Sequence, residues 1–157
     1  MIVICDSSPL IALFALEKID LLDRLFDKVI ILEAVFNEVF SYEKLSVPNF
    51  LIKEKVIDKN LIDSLSIRLD YGESEVIALA LEKKIERVLI DDKAARKIAH
   101  SLGLKVIGTL GLLILAKEKQ FINEIKPLML KLIEKIAFRI GKKVLNMALE
   151  KVNEKPV

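Results

Sequence analysis

Apolar and polar positions along the chain follow two different periods. MIVIC (1–5), KVIIL (28–32), RVLI (87–90) and KVIG (105–108) are short, uninterrupted and rich in β-branched residues, as buried strands are. FLIKEKVI (50–57) is a further strand candidate beyond the break at Pro48. Between these runs the apolar residues recur at helical spacing. LIALFALEKI (10–19) reads as a buried helix, with SSP (7–9) supplying a Ser N-cap and Pro9 in the first turn. Leu21, Leu22, Leu25 and Phe26 mark a second short helix. Val35, Phe36, Val39 and Phe40 share one stripe of a helix over 33–43. A short helix is expected over 60–69, then a turn at Tyr71-Gly72, then a strong helix in GESEVIALALEKK (72–84). Helices over 93–102, ended by Gly103, and over 109–118 follow the last two strands. Beyond Phe121 the pattern is all helical, with Ile125, Leu128, Met129, Leu132, Ile133 and Ile136 on one face. Gly141 separates that segment from a last helix, 142–152.

Strands that alternate with helices imply βαβ crossovers, hence a mostly parallel sheet covered on both faces. The expected fold is a three-layer α/β/α domain spanning 1–157, with 121–157 as a helical extension. In such a fold ligands bind outside the carboxyl ends of the strands. Asp6 stands at the end of the first strand, and Asp91 and Asp92 at the end of RVLI. Glu38 lies three residues after Val35, beside the apolar stripe. Glu73 precedes Val76 and Ile77 by three and four residues, so it faces inward at a helix start, whereas Glu75 is expected to be more exposed.

Each acid has an ordinary structural explanation. Asp6 and Asp92 could cap helices, Glu73 could answer a helix dipole, and Glu38 could be a solvated helix residue. Convergence is what those explanations leave out. Carboxylates gathered on one edge, with no basic partner fixed nearby by sequence, repel unless a cation neutralises them. Oxygen-only ligands suit Mg²⁺ or Mn²⁺, which orient and activate water for attack on a phosphodiester.

Composition narrows the choice. Of 157 residues, 53% are apolar, an excess that favours burial against a partner such as a second copy. No apolar run reaches the roughly 18–20 residues of a membrane-spanning helix. The longest, LGLLILA (110–116), meets Lys117 and reads as a buried helix. The opening MIVICDSSP lacks a basic leader, so a cytoplasmic protein is expected. One cysteine and one histidine exclude a disulfide framework, a cysteine-based zinc cluster and multi-imidazole sites. The 25 basic and 23 acidic residues nearly balance, so any nucleic-acid contact must be local.

Other residues have simpler roles. Cys5, next to Asp6 in a strand, points to the opposite face and reads as a core thiol. Ser7 and Ser8 lie in no nucleophile elbow, although a hydroxyl there could touch phosphate. Gly108-Thr109 forms a turn and N-cap, whose helix N-terminus could also meet phosphate. His100 sits late on a helix, where a dipole contact suffices. The basic tail (Lys131, Lys135, Arg139, Lys142, Lys143) reads first as a solvated face.

MIVICDSSPLIAL, the acid of AVFNEV, GESEVIALA, VLIDDKAAR and KVIGTLGLLILAKEKQFI, in that order, resemble a PIN-domain nuclease of the VapC toxin-like branch. The resemblance covers most of the chain. It implies an α/β/α fold whose acids bind Mg²⁺ or Mn²⁺ and cleave single-stranded RNA, with a small antitoxin as partner and a homodimer as the expected assembly. Carried over, the metal-binding and catalytic acids are Asp6, Glu38, Glu73 and Asp92, with Asp91 as helper; Ser7 and Thr109 are candidate substrate contacts. Two positions depart from the common pattern: Glu73, where many members have Asp, and Ile90, where many have Thr or Ser. They leave a catalytically weak or inactive RNA- or protein-binding module as the alternative. A phosphoacceptor receiver would need its acid pair after the first strand, and a haloacid-dehalogenase-type phosphatase would need D-x-D where this chain has DSS.

Overall fold

In the computed structural model, which describes residues 1–41 and 46–157, five strands form one parallel sheet. They are β1 (Ile2–Cys5), β2 (Lys28–Leu32), β3 (Leu51–Glu54), β4 (Arg87–Leu89) and β5 (Lys105–Ile107), in the spatial order β3-β2-β1-β4-β5. The helices between them complete a three-layer α/β/α domain, as the alternating pattern requires. Among them are α1 (Ser7–Ala15), α2 (Asp20–Leu25), α3 (Glu33–Phe36), α4 (Lys59–Leu65) and α5 (Tyr71–Lys83). After β4 come α6 (Lys93–Ser101), α7 (Thr109–Glu118), α8 (Lys126–Ile136) and α9 (Lys142–Lys151).

The central strand explains the apolar run at the start of the chain. Val3, Ile4 and Cys5 are fully buried, and so are Ile31 and Leu32 next door and Val88 and Leu89 on the other side. Strands covered on both faces cannot alternate, so they read as continuous hydrophobic runs. From β1 the chain builds outward through β2 and β3, then returns to the other side of β1 for β4 and β5. The β1–β4 boundary is therefore the topological switch point, where the crevice of such a sheet opens. Cys5 registers with Leu89, and the Asp6 N–H donates to the Leu89 carbonyl at 3.0 Å, so the acids after both strands leave the sheet side by side.

Three details differ from the sequence expectations. The Ser7-Ser8 pair lies inside α1, and its N-cap is Asp6, whose carboxylate accepts from the Ser7 N–H at 2.9 Å. Tyr71-Gly72 is the start of α5 and not a turn, because Asp70 caps the helix by accepting from the Glu73 N–H at 2.8 Å. The helix expected over 33–43 is an α-helix only to Phe36, and then widens into a π-helical turn, Asn37–Ser41. Residues 42 and 43 of that expectation lie outside the described residues. Phe40, in the π turn, packs edge-on to Phe14 of α1 with ring centroids 5.6 Å apart, which ties the turn to the core.

The helical extension is fastened by one acid. Helix α8 has no side-chain cap at Ile125. Glu154, beyond α9, supplies it by accepting from the N–H groups of Ile125 (2.8 Å) and Lys126 (2.9 Å), and from Lys117 Nζ of α7 at 2.7 Å. Three elements meet on one carboxylate.

Candidate active site

Four segments deliver acids to the carboxyl edge of the sheet. Asp6 follows β1 and is 7% exposed. Asp91 and Asp92 follow β4, Glu38 lies in the π turn, and Asp70 and Glu73 form the start of α5. Their charges feel one another. Burial, with the charges of Asp70, Glu38 and Asp91, pushes the Asp6 carboxyl up to about 6 against the pull of the Ser7 N–H. Burial, with the charges of Asp70, Asp92 and Asp6, pushes Glu73 up to about 7. Burial is the larger cause at both carboxyls, and the negative charge of Asp70 adds to it at each.

The paired aspartates part company. Asp91 accepts from the Thr109 N–H and hydroxyl, both at 2.6 Å, and from the Ser8 hydroxyl at 3.1 Å, so it locks the N-terminus of α7 to α1. Thr109 is fully buried, and both its donors point at Asp91. Asp92 caps α6 with one oxygen, accepting from the Ala95 N–H at 2.9 Å, while its charge reaches Glu73. The charge of Asp91 raises Asp6 and that of Asp92 raises Glu73, so the two neighbours in sequence act on different acids.

Gly108 makes part of this approach possible. A Cβ there would stand 3.1 Å from Asp91 Oδ1 and 3.4 Å from Arg96 Nη1. The bare backbone lets a carboxylate and a guanidinium flank the start of α7.

Elsewhere the sequence expectations meet the structure directly. Cys5 is fully buried, and burial, with Asp6 and Asp91 nearby, raises its thiol well above its ordinary range; a nucleophilic thiolate is disfavoured there. Glu75 is half-buried like Glu73 and not more exposed, because α5 packs on both sides: Leu79, four residues on, is fully buried. Asp70 is the acid that sequence reading passed over. It stands three residues before Glu73, the spacing of a helix-capping pair, and that spacing was the available signal.

The donor set fits a hard divalent cation in kind: every candidate ligand is a carboxylate oxygen, and neighbouring negative charge adds to burial in raising Asp6 and Glu73. Among the described residues no three Asp, Glu, His or Cys side chains are grouped so that they could hold a metal ion together. A Mg²⁺ ion does not require such a group, since it keeps several waters and takes one or two protein carboxylates.

A parallel α/β sheet binds its ligands outside the strand ends at the switch point, and Asp6, Asp91 and Asp92 follow the two strands that meet there. The family model described as PIN domain matches residues 2–154, nearly the whole chain. The chain belongs to the PIN-domain family, whose members are generally nucleases and typically use divalent metals. No curated protein and no solved structure matches the chain. No helix among the described residues is long and apolar enough to cross a membrane.

Proposed function

We propose that the protein is a metal-dependent endoribonuclease that cleaves single-stranded RNA, of the VapC toxin-like kind. The observation that supports this is the placement of Asp6, Asp91 and Asp92 at the strand ends of the switch point, with Asp6 and Glu73 both raised by burial first and by neighbouring carboxylates second. Asp6, Glu38, Glu73 and Asp92 are the candidate ligands of Mg²⁺ or Mn²⁺, one or two of them directly and the others through the ion's waters, and Asp70 adds its charge at both Asp6 and Glu73. When bound, the ion supplies charge neutralisation at the scissile phosphate and activation of the attacking water.

The chain's own residues do the rest. Asp6 is held by the Ser7 N–H, so its remaining oxygen has a fixed direction. Glu73, half-buried and titrating near neutrality, can take a proton from water and return it to the leaving oxygen. Asp91 acts from the side, bracing α1 and α7 through Ser8 and Thr109. Thr109 is thereby assigned to positioning rather than to substrate contact, and Ser7 remains the candidate hydroxyl for contact with the substrate.

The test is cleavage of a panel of single-stranded RNAs in Mn²⁺. Asn caps a helix about as well as Asp, so Asp92→Asn leaves α6 intact and removes only a charge. Cleavage should be abolished with melting temperature unchanged or higher. Wild-type cutting by Asp92→Asn would make the residue a cap and nothing more. No metal-dependent cutting by the wild type would leave a binding module.

We also propose self-association, or capture by a small antitoxin, on the apolar surface near α4, where Ile57 (83% exposed) and Ile67 (84%) lie bare. Light scattering at tens of micromolar checks this: a monomer that also fails to bind a co-expressed antitoxin overturns it.

A further inference from the structure

We propose that the exposed face of α6 is the track along which the phosphate backbone of single-stranded RNA reaches the acidic edge. Resting on the ribonuclease reading above, this proposal names the surface that holds the substrate. Lys93, Arg96, Lys97 and His100 stand at i, i+3, i+4 and i+7, so they form one stripe of the helix, about 10 Å long. All four are exposed, and with Val106 of β5 they line a groove of about 420 Å³.

Three observations set this stripe apart from an ordinary solvated helix face. The segment KAARKIAHS carries three cations and no acid, in a chain whose net charge is only +2. Among the described residues no carboxylate forms a salt bridge with Lys93, Arg96 or Lys97, whereas Lys105 and Arg87 nearby are both paired with Glu86. The stripe also begins where the acids end. Asp92 caps α6, and Arg96 lies against Gly108 beside Asp91. A polyanion cannot rest on a carboxylate cluster unaided. Cations contiguous with that cluster hold the flanking phosphates while the scissile one crosses it. Val106 gives the groove an apolar wall for a base or ribose.

The experiment measures binding of a fluorescein-labelled 12-nucleotide uridine RNA by anisotropy in EDTA, where no cleavage intervenes, from 50 to 300 mM KCl. Each single-strand phosphate contact contributes about 0.7 to the slope of log affinity against log salt. Lys93→Ala with Lys97→Ala should lower the slope by about 1.4 and weaken binding roughly 10–30-fold at 0.1 M salt. Lys93→Arg with Lys97→Arg should restore it, which a folding defect would not allow. Lys142→Ala with Lys143→Ala, on α9, should leave affinity unchanged. Unchanged binding in the α6 alanine pair overturns the proposal, and so does an equal loss in the α9 pair or a wild type that binds no RNA. Binding that depends on α6 without any cleavage in Mn²⁺ would keep the track and remove the nuclease.

Discussion

At the scale of single residues, the site is built by giving caps a second task. Asp6, Asp70 and Asp92 each begin a helix, α1, α5 and α6 respectively, and each also contributes charge to the same edge. A cap must sit where strand or loop ends and helix begins. In a parallel α/β fold those junctions lie at the carboxyl edge of the sheet, so the two demands coincide. Asp70 is the sharpest case. If it only caps α5, Asp70→Asn should be silent, since Asn accepts from the Glu73 N–H equally well. If its charge belongs to the site, the same change should bring the Glu73 pKa down from about 7 toward its ordinary value, and RNA cleavage should fall at least tenfold. A titration of Glu73 by carbonyl-carbon NMR, run beside the cleavage assay, separates the two. An unmoved Glu73 resonance would return Asp70 to capping alone.

At the scale of elements, periodicity revealed most of the fold, and its failures are local. Uninterrupted β-branched runs placed β1, β2, β4 and β5 within a residue, because a strand buried on both faces leaves no room for polar positions. The start of α5 was misplaced because Tyr-Gly looks like a turn, while the decisive bond is a side chain of Asp70 reaching three residues on. The π turn at Asn37–Ser41 was beyond periodicity altogether: Val39 and Phe40 fit an ordinary stripe, and only the folded backbone shows the widening. That turn carries Glu38, in keeping with the concentration of π-helical turns at functional sites. The common edge of Asp6, Asp91 and Asp92 could be read from topology, but not the hydrogen-bond partners of each aspartate, since those of Asp91 depend on the start of α7 lying against it through Thr109.

The extension is equally opaque to pattern, because Glu154 contacts residues about 30 positions away. Its burial disfavours the charge, but the N–H groups of Ile125 and Lys126 and the ammonium of Lys117 outweigh it and hold the carboxyl below its usual range. Glu154→Gln removes the charge and turns one of the two accepting oxygens into an NH₂ donor, and should therefore destabilise the protein by roughly 1–3 kcal/mol. With a lowered folded pKa, Glu154 contributes stability at neutral pH that is lost as pH falls through the acidic carboxylate range. A melting temperature within a degree of wild type at pH 7 would show that the cap on α8 is dispensable.

At the scale of the whole molecule, the acidic edge makes stability answer to protons and metal together. Asp6 has its carboxyl raised from 3.8 to about 6 and Glu73 from 4.5 to about 7, so the folded state binds protons more tightly than the unfolded one. The sign follows: their contribution is fully favourable below about pH 4 and is lost as pH rises through 6 and 7. On the proposed function, a divalent cation would bind the ionised carboxylates and so replace the protons where they leave. Without metal, wild type should lose melting temperature between pH 5 and 8 relative to Asp6→Asn/Glu73→Gln, which lacks both titrating groups. Low millimolar Mn²⁺ should recover that loss at pH 8, do little at pH 5, and leave the double variant unmoved; EDTA should reverse the gain. Scanning calorimetry at the two pH values, with and without Mn²⁺, measures all of this in one series. Parallel pH curves for wild type and double variant would mean that the two carboxyls are not strained. A gain from Mn²⁺ that is equal in both proteins would put the cation somewhere other than the switch point.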